Sequence, residues 1–420
     1  MNSLLKIICF VLALFFFWES YALDTLNIQD AMRLAVTTHP AVLGKNNELL
    51  AATYSLEGAK WQRYPALSAQ TASPTISRQG VITTVTIDQP LWTGGRISSN
   101  INAATSKALA VQYDLEDTQQ TILTKVTNAF CSMIKFQEKL SSATESVAEH
   151  QRLLELIERR ANGEISPENE VTLARARLAQ SKSDRLQYEL SYKNAKADLE
   201  QLTGVRIDSL TKPLAPTNLM LDKNSTSSLI ERAINYSPTL KRLEAQRVAA
   251  EADKETKKSI LWPQLSARYS HNWEAGGSDS YSVPSDTAFL ALTFQPGNGL
   301  SSLSTINQAE ALISSAESNK ESASKDISDR IRLAINDLSS SGNEVEVFED
   351  LVVSSTEVYE SSLRQFTLGK KTWPEVLNAW RENIQAKYSL TDSRWKGFIA
   401  GMQVKILIGD INALKLNEMH

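Results

Sequence analysis

The sequence contains very little cysteine and histidine. Its 420 residues include two cysteines and four histidines. Cys9 lies in the apolar N-terminal stretch, so a chain processed there would keep only Cys131 and could form no internal disulfide. Cys131 follows a helical pattern between apolar neighbours, and we expect it to pack as a small hydrophobic side chain. The histidines lie far apart without metal-ligand spacing, so the sequence predicts no metal site.

The chain also lacks a block of one charge and the common catalytic motifs. Its net charge of −4 is spread along the sequence, and no basic run indicates nucleic acid as a partner. No glycine-rich phosphate loop, nucleophile elbow or HExxH motif is present. We therefore expect a protein that is not an enzyme, needs no cofactor and does not bind nucleic acid.

Long apolar runs are absent after the N-terminus. Lys6 precedes an apolar stretch over residues 7–18, and Ser20-Tyr21-Ala22 has the form that signal peptidase accepts. This pattern predicts a cleaved signal peptide over residues 1–22, with a retained membrane anchor as the alternative. No later segment offers the roughly 18 apolar residues that a transmembrane helix needs.

The remainder of the chain contains one unit twice. Residues 39–69 align without a gap on residues 237–267, including the aromatic-Pro pairs Tyr64-Pro65 and Trp262-Pro263. The Leu-Thr-Gly that ends at Gly204 matches the Leu-Ile-Gly that ends at Gly409. The predicted division is a signal peptide (1–22), a first repeat (23–204), a linker (205–226), a second repeat (227–409) and a C-terminal tail (410–420).

Each repeat has the same predicted order of elements. A helix over 28–63 or 227–261 ends at the aromatic-Pro pair, because proline disfavours helical geometry in the residue before it. Two strands follow, then a helix of nearly 70 residues and a returning helix. The predicted strands are 66–76, 81–91, 264–274 and 286–294; the long helices are 96–162 and 300–368; the returning helices are 170–203 and 375–408; and the hairpin tips lie near 163–170 and 369–375.

The returning helices carry small residues at alternating spacings of three and four, which is typical of a closely packed coiled-coil seam. Arg185 and Asn383 are polar entries in this seam. They could set the register or face water inside an assembly, and a solvated heptad edge is an equally weighted alternative.

The predicted strands alternate with period two, and their 9–11 residues suit outer-membrane strands with one wet face. A soluble hairpin pair would give a similar pattern. Four strands cannot close a barrel, and an open edge cannot face hydrocarbon because its backbone groups would be unsatisfied. If the strands enter a membrane, two, three or four chains must share one barrel.

The order of these features resembles the TolC family of outer-membrane factors. The motifs QPLWTGGR (89–96) and RQFTLGKKTWPEVLNA (364–379) carry the resemblance, which covers residues 23 to about 410. It implies a mainly α fold, with long coiled-coil hairpins forming a periplasmic α-barrel and four strands per chain in a shared 12-stranded transmembrane β-barrel. It also implies a homotrimer in the lipid of a Gram-negative outer membrane.

The resemblance further implies a passive exit duct that a periplasmic adaptor and an inner-membrane ABC or other transporter engage. TFQPGNGLSS (293–302) is similar to the agglutination-protein (LapE) branch, which serves type I secretion of large adhesins. Multidrug or small-molecule efflux is the alternative cargo class. A periplasmic coiled-coil adaptor and a structural filament protein are the further alternatives.

In the family, the hairpin tips close the entrance and dock the adaptor. Two acidic pore positions match Glu375 and Asn378, and the latch positions match Phe366, Lys371 and Glu170, or Asn169 if the alignment has no gap. A ring of carboxylates at a constriction favours cations. The alternative for Glu375 is that it complements its helix dipole. Gly163 and Gly369 are expected to adopt left-handed conformations at the two tips.

Overall fold

The computed structural model describes residues 25–72, 81–213, 226–275, 285–297 and 301–410. The predicted signal peptide over 1–22 and residues 411–420 of the predicted tail lie outside these ranges. The chain forms two compact units, one from residues 1–42, 119–236 and 327–420 and the other from residues 43–118 and 237–326. Each unit draws on both predicted repeats, and the two-repeat division stays a prediction.

The described chain is mainly helical, as predicted. Its helices are α1 (Ile28–Thr38), α2 (Pro40–Trp61), α3 (Arg96–Asn162), α4 (Glu168–Thr203), α5 (Thr226–Tyr236), α6 (Pro238–Lys258), α7 (Ser301–Thr367) and α8 (Trp373–Leu407). Both α3 and α7 have 67 residues, which corresponds to a length of about 100 Å. In none of the described helices is there a segment long and apolar enough to cross a membrane.

The first helix of each predicted repeat is in fact two helices, so the expected continuous helices over 28–63 and 227–261 were wrong. His39 and Ser237 are non-helical, with ψ of 128° and 114°. Each precedes a proline, whose ring disfavours the α conformation in the preceding residue. Ser237 Oγ also accepts a hydrogen bond from the backbone N–H of Leu240 at 3.2 Å, which caps the restarted helix α6.

Helices α4 and α8 end at glycines in the left-handed conformation. Gly204 has φ 72° and its N–H donates to Glu200 O. Gly409 has φ 73°, and a Cβ there would overlap the ring of Tyr236. A side chain at Gly409 would therefore be excluded both by the backbone conformation and by the packed ring.

The four strands form one antiparallel sheet in the order β1-β2-β3-β4. Their bounds are β1 (Ala66–Ala72), β2 (Val81–Trp92), β3 (Gln264–Ala275) and β4 (Asp286–Thr293). These agree with the predicted strands, except that residues 73–76 lie outside the described ranges. Among the described residues, β1 and β4 each pair on one side only, so both are edge strands.

The sheet has one mainly polar face and one mainly apolar face. On the polar face, Arg268 Nε donates to Asp88 Oδ2 at 2.7 Å, and Thr84 Oγ1 donates to Asn272 Oδ1 at 2.7 Å. The opposite face exposes apolar side chains, with Leu67 and Leu292 at 74% and 69% exposure, and other members are Ile87, Tyr269, Trp273 and Leu290. Such a two-faced sheet suits hydrocarbon on one side and water on the other.

Candidate channel entrance

The hairpin tips lie in the first compact unit around one apolar core. Trp373 is fully buried at the start of α8, and Phe366 is 5% exposed near the end of α7. Their ring centroids are 5.0 Å apart, and the Arg160 guanidinium of the first hairpin lies 4.7 Å from the Phe366 ring centroid. The two tips are therefore neighbours, and Phe366 acts as a packing residue within the chain.

The second tip turns at Gly369, which has φ 72° as predicted. Its N–H donates to Phe366 O at 3.0 Å, and Lys370 N donates to Gln365 O at 2.9 Å. Helix α8 then restarts at Trp373 with proline in its first turn, where the fixed φ is favourable.

The first tip differs from the prediction, because Gly163 is not left-handed. Glu164 has φ 56° instead. Among the residues that the structure describes, it is the one non-glycine residue with a positive φ. Gly163 still donates its N–H to Arg159 O at 3.2 Å in helical fashion, so the turn begins one residue later. A Cβ on Gly163 would make only ordinary contacts, the nearest at 3.6 Å to Arg159 O, so this position does not require glycine.

Glu375 forms the reciprocal half of a capping box at the start of α8. Its Oε2 accepts hydrogen bonds from Thr372 N at 2.7 Å and from Thr372 Oγ1 at 2.8 Å. The hydrogen bond from the Thr372 backbone has the largest effect in lowering the pKa of Glu375, and the bond from the Thr372 side chain comes next. The charge of Lys371 acts in the same direction. The side chain is nevertheless exposed, as is that of Asn378, which lies three residues later on the same helix face.

The predicted latch residues are not joined within the chain. Lys371 Nζ donates to Ser362 Oγ at 3.2 Å in the last turns of α7. Glu170 is half-buried in the first turn of α4. In the described chain no ion pair connects Lys371 with Glu170, so a bond between them is not a feature of the single protomer.

A partly buried polar cluster near the tips was not found by sequence reasoning. The Tyr359 hydroxyl of α7 donates to the Glu149 carboxylate of α3. Arg152 Nε donates to the two Glu149 oxygens at 3.1 and 2.9 Å. Burial, followed by the bond to Glu149, raises the pKa of Tyr359, whose ring centroid lies 4.8 Å from that of Trp380. Tyr359 lies one heptad before Phe366, and this spacing was the sequence signal for the bond between Tyr359 and Glu149.

Further polar contacts connect α3 with α8. Lys139 Nζ lies 2.6 Å from Asp392 Oδ2, and Lys387 Nζ lies 2.7 Å from Glu145 Oε1. Trp395 Nε1 donates to Glu138 Oε2 at 2.9 Å. The two hairpins of the chain are thus held together by a series of side-chain bonds in addition to their apolar core.

Asn383 sets the register inside the second hairpin. It is 1% exposed, and its Nδ2 donates to Thr356 Oγ1 at 2.7 Å and to Ser355 Oγ at 3.1 Å, both on α7. Asn383 is therefore a buried register contact and does not lie on a solvated heptad edge or face water. Arg185 is half-buried, and its Nε has no hydrogen-bond partner among the described residues.

Cys131 is packed as predicted. It is fully buried on α3, and burial raises the pKa of its thiol to about 12. A thiol of this kind carries almost no thiolate at neutral pH and is chemically inert.

A sheet with an apolar outer face, joined in sequence to helices about 100 Å long that end in packed tips, is the architecture of an outer-membrane duct with a periplasmic extension. The described elements contain both parts. The class of protein is therefore an outer-membrane channel of export systems.

Comparisons with known proteins agree with this class. The outer membrane efflux protein family model matches residues 37–205. The outer membrane protein TolC of Vibrio cholerae serotype O1 is 22% identical over 325 residues, covering 74% of this chain and 73% of that protein. These matches support an outer membrane efflux protein similar to the TolC proteins.

Solved structures share the fold. A membrane protein from Pseudomonas aeruginosa gives a TM-score of 0.78 at 18% identity, covering 91% of this chain and 93% of that one. The outer-membrane channel OprN gives a TM-score of 0.80 at 15% identity, covering 91% of this chain and 89% of the other.

Proposed function

We propose that three copies of this chain form one continuous exit duct of a tripartite export system. The observation that carries this proposal is the four-stranded sheet with two edge strands and an exposed apolar face. Edge strands cannot face hydrocarbon with unpaired backbone groups. Three sheets of four strands, joined edge to edge, close a barrel of 12 strands and satisfy every edge.

The hairpin tips are proposed as the periplasmic entrance of the duct. Threefold symmetry would place three Glu375 carboxylates around the axis, with three Asn378 amides one turn further along. The exposure of both side chains supports this role. A ring of three carboxylates attracts cations and repels anions, whereas the amide ring adds no charge.

We further propose that Lys371 and Glu170 act as a latch between neighbouring copies, with Phe366 contributing apolar packing beside them. The turns at Gly163 and Gly369 would form the surface that a periplasmic adaptor docks. Energy would come from an inner-membrane transporter, because the duct itself is a passive conduit.

The proposed cargo is a large adhesin exported by type I secretion, on the basis of the segment 293–302 that resembles the agglutination-protein branch. Efflux of small molecules is the second candidate, and the match of residues 37–205 to the outer membrane efflux protein family supports it.

The assembly is tested by extraction of the protein from cell envelopes. We expect detergent to be required, and we expect the purified protein to have the mass of a trimer that dissociates only on heating. In planar bilayers the trimer should conduct ions. A water-soluble monomer after removal of residues 1–22 would contradict the proposed duct.

A further inference from the structure

The end of the sheet that joins the helices carries exposed aromatic side chains. They are Trp61, Tyr64, Trp92 and Trp262, all between 47% and 68% exposed. The rings of Trp61 and Tyr64 lie 5.1 Å apart, and those of Trp92 and Trp262 lie 6.4 Å apart, edge to face. Exposed Trp and Tyr side chains are typical of a boundary between water and lipid. This end of the sheet, called here the helix end and formed by residues 60–64, 92–96 and 257–262, therefore has the character of such a boundary.

Cations are concentrated at the same end. The helix end contains Lys60, Arg63, Arg96, Lys257 and Lys258. Among the described residues, Lys258 is the one of these five whose side chain has a bonded partner, the Glu255 carboxylate at 2.7 Å. The opposite end of the described sheet, over residues 81–87, 269–275 and 286–288, contains two carboxylates and no Lys or Arg. Within the described part of the chain, the unpaired positive charge of this region thus lies at the helix end.

Helix dipoles explain the lysines but not Arg96. The three lysines lie in the last turns of α2 and α6, where a cation complements the negative end of the dipole. Arg96 is the first residue of α3, where the positive end of the dipole repels a cation. A cation at this position does not stabilise its own helix, and a bound anion would offset the repulsion.

Arg63 lies at the margin of the apolar face of the sheet. Gln89 pairs with Ala267 and shares its face with Ile87 and Tyr269. The Gln89 Nε2 donates to the Arg63 carbonyl oxygen at 3.0 Å. Arg63 is exposed, and a long arginine side chain can lay its methylene groups along apolar surface while its charge stays at the polar boundary.

Arg96 lies on the side of α3 that contacts the segment before Arg63. Asn100 Nδ2 donates to Gln62 Oε1 at 2.9 Å. Arg96 comes four residues before Asn100, so both lie on the same side of α3. Gln62 directly precedes Arg63 in the chain. The two arginines therefore flank one contact, and in the described part of the chain neither guanidinium is bonded to a carboxylate.

We propose that Arg63 and Arg96 bind the phosphate headgroup of an anionic glycerophospholipid in the periplasmic leaflet of the membrane. Guanidinium groups donate paired hydrogen bonds to phosphate oxygens, and the charges are complementary. The acyl chains of the lipid would cover Leu67 and Leu292 on the apolar face. The inference rests on the proposed function, because headgroups reach this height only if the sheet spans the membrane.

Lipid binding to the purified trimer tests this site. Phosphatidylglycerol and phosphatidylcholine are the probes, added in detergent, and native mass spectrometry counts the lipids bound to each trimer. We expect the unmutated trimer to prefer phosphatidylglycerol. In Arg63→Gln combined with Arg96→Gln, the Kd for phosphatidylglycerol should rise about fivefold for each arginine removed. Binding of phosphatidylcholine, which has no net charge, should change little.

The matched control is Arg159→Gln combined with Arg330→Gln. Both arginines are exposed, lie on the long helices α3 and α7 distant in sequence from the helix end, and have no side-chain partner in the described part of the chain. The control removes the same charge and should keep the preference for phosphatidylglycerol. An equal loss in both double variants would mean that the preference follows net charge alone, which would contradict the site.

The failure of this inference is distinguishable from the failure of the duct. An unmutated trimer that binds both lipids equally would overturn the inference and leave the duct in place. Displacement of phosphatidylglycerol by the same concentration of inorganic phosphate would do so too, because the site would then take a free anion. Absence of a trimer, or its failure to insert into phospholipid vesicles, would instead overturn the proposed function.

Protection of the trimer against heat gives an independent readout. A bound lipid stabilises the state that binds it, so phosphatidylglycerol should raise the dissociation temperature of the unmutated trimer more than phosphatidylcholine does. Arg63→Lys combined with Arg96→Lys keeps the charge but not the paired bonds, so it should retain part of this difference. The glutamine double variant should lose it, and an undiminished difference there would contradict the role of the arginines.

A single variant keeps the test decisive if the glutamine double variant does not assemble. Arg63→Gln changes one exposed side chain, and its Kd for phosphatidylglycerol should rise about fivefold. An unchanged Kd in an intact trimer would contradict the proposal.

Discussion

At the residue scale, two residues of the same type have different roles when one is exposed and the other is buried. Asn378 and Asn383 lie five positions apart on α8, yet Asn378 faces solvent and Asn383 is buried against two hydroxyls of α7. Glu375 combines two roles, since it caps a helix and still presents an exposed carboxylate. Substitutions that keep one property and remove the other separate these roles.

Glu375→Gln tests the proposed carboxylate ring. Glutamine can still accept the bonds from Thr372, so the helix cap and the trimer should persist while the charge is lost. We expect reconstituted channels to lose their cation preference, measured as a shift of the reversal potential in a salt gradient.

Glu360→Gln is the control, because this exposed carboxylate lies on α7 away from the tip turn and should leave the reversal potential unchanged. In the unmutated channel the lowered pKa of Glu375 keeps its carboxylate charged at neutral pH. Cation preference should therefore persist as the pH falls through the usual Glu range near about 4.3 and disappear only below it. Unchanged selectivity in Glu375→Gln would place the selective constriction elsewhere.

Asn383→Ala tests the register contact. The change leaves the Ser355 and Thr356 hydroxyls with one partner fewer and opens a small cavity, so we expect a loss of about 1–3 kcal/mol of stability. The measurement is the midpoint of chemical unfolding of the helical signal. Asn378→Ala is the matched control on the same helix and should change the midpoint little; an equal effect of both would mean that the buried amide contributes nothing specific.

At the element scale, proline and glycine set where helices end, and side-chain bonds set how the hairpins associate. The prolines at 40 and 238 restart helices, and Gly369 turns the second tip. The hairpins are then joined by the Tyr359–Glu149 bond and by Arg160 on the Phe366 ring.

Tyr359→Phe should loosen the two hairpins without removing the apolar ring. We expect faster proteolysis near the tips and a higher open probability in bilayers, because Glu149 loses the hydrogen bond that Tyr359 of α7 donates. Tyr388→Phe is the control, since this ring stacks on Tyr188 at 5.0 Å and its hydroxyl has no hydrogen-bond partner in the described part of the chain. Equal cleavage rates for both variants would argue against the bond as a restraint.

At the scale of the whole molecule, the chain carries surfaces that a monomer in water would not keep. The sheet exposes Leu67 and Leu292, and helix α4 exposes Leu186 and Leu190. In the proposed duct, lipid and neighbouring copies would cover such surfaces.

Deletion of the gene separates the two cargo classes. If the duct serves an adhesin, we expect a large surface protein to disappear from the cell surface while tolerance to drugs is unchanged. Re-expression of the full-length chain should restore that protein, and this is the control. Increased drug sensitivity with an unchanged surface would instead assign the duct to efflux.

The sequence by itself determined the elements. Proline and glycine act locally, and strands and helices have distinct apolar periods, so the four strands and the long helices could be located to within a few residues. The resemblance to the TolC family could be recognised because the motifs that carry it are ordered along the chain. Local reasoning was wrong at His39 and Ser237, where a single proline divides a helix, and at Gly163, where the left-handed residue is Glu164.

Only the tertiary structure decided which side chains meet. Glu149 and Tyr359 are far apart in the sequence, and Asn383 and Thr356 lie on different helices. Their contacts depend on how the helices and hairpins pack. The same holds for Lys371, whose partner in the chain is Ser362, and for the burial of Phe366. Helix periodicity fixes the direction of a side chain, whereas its partner is fixed by the free energy of packing the whole unit.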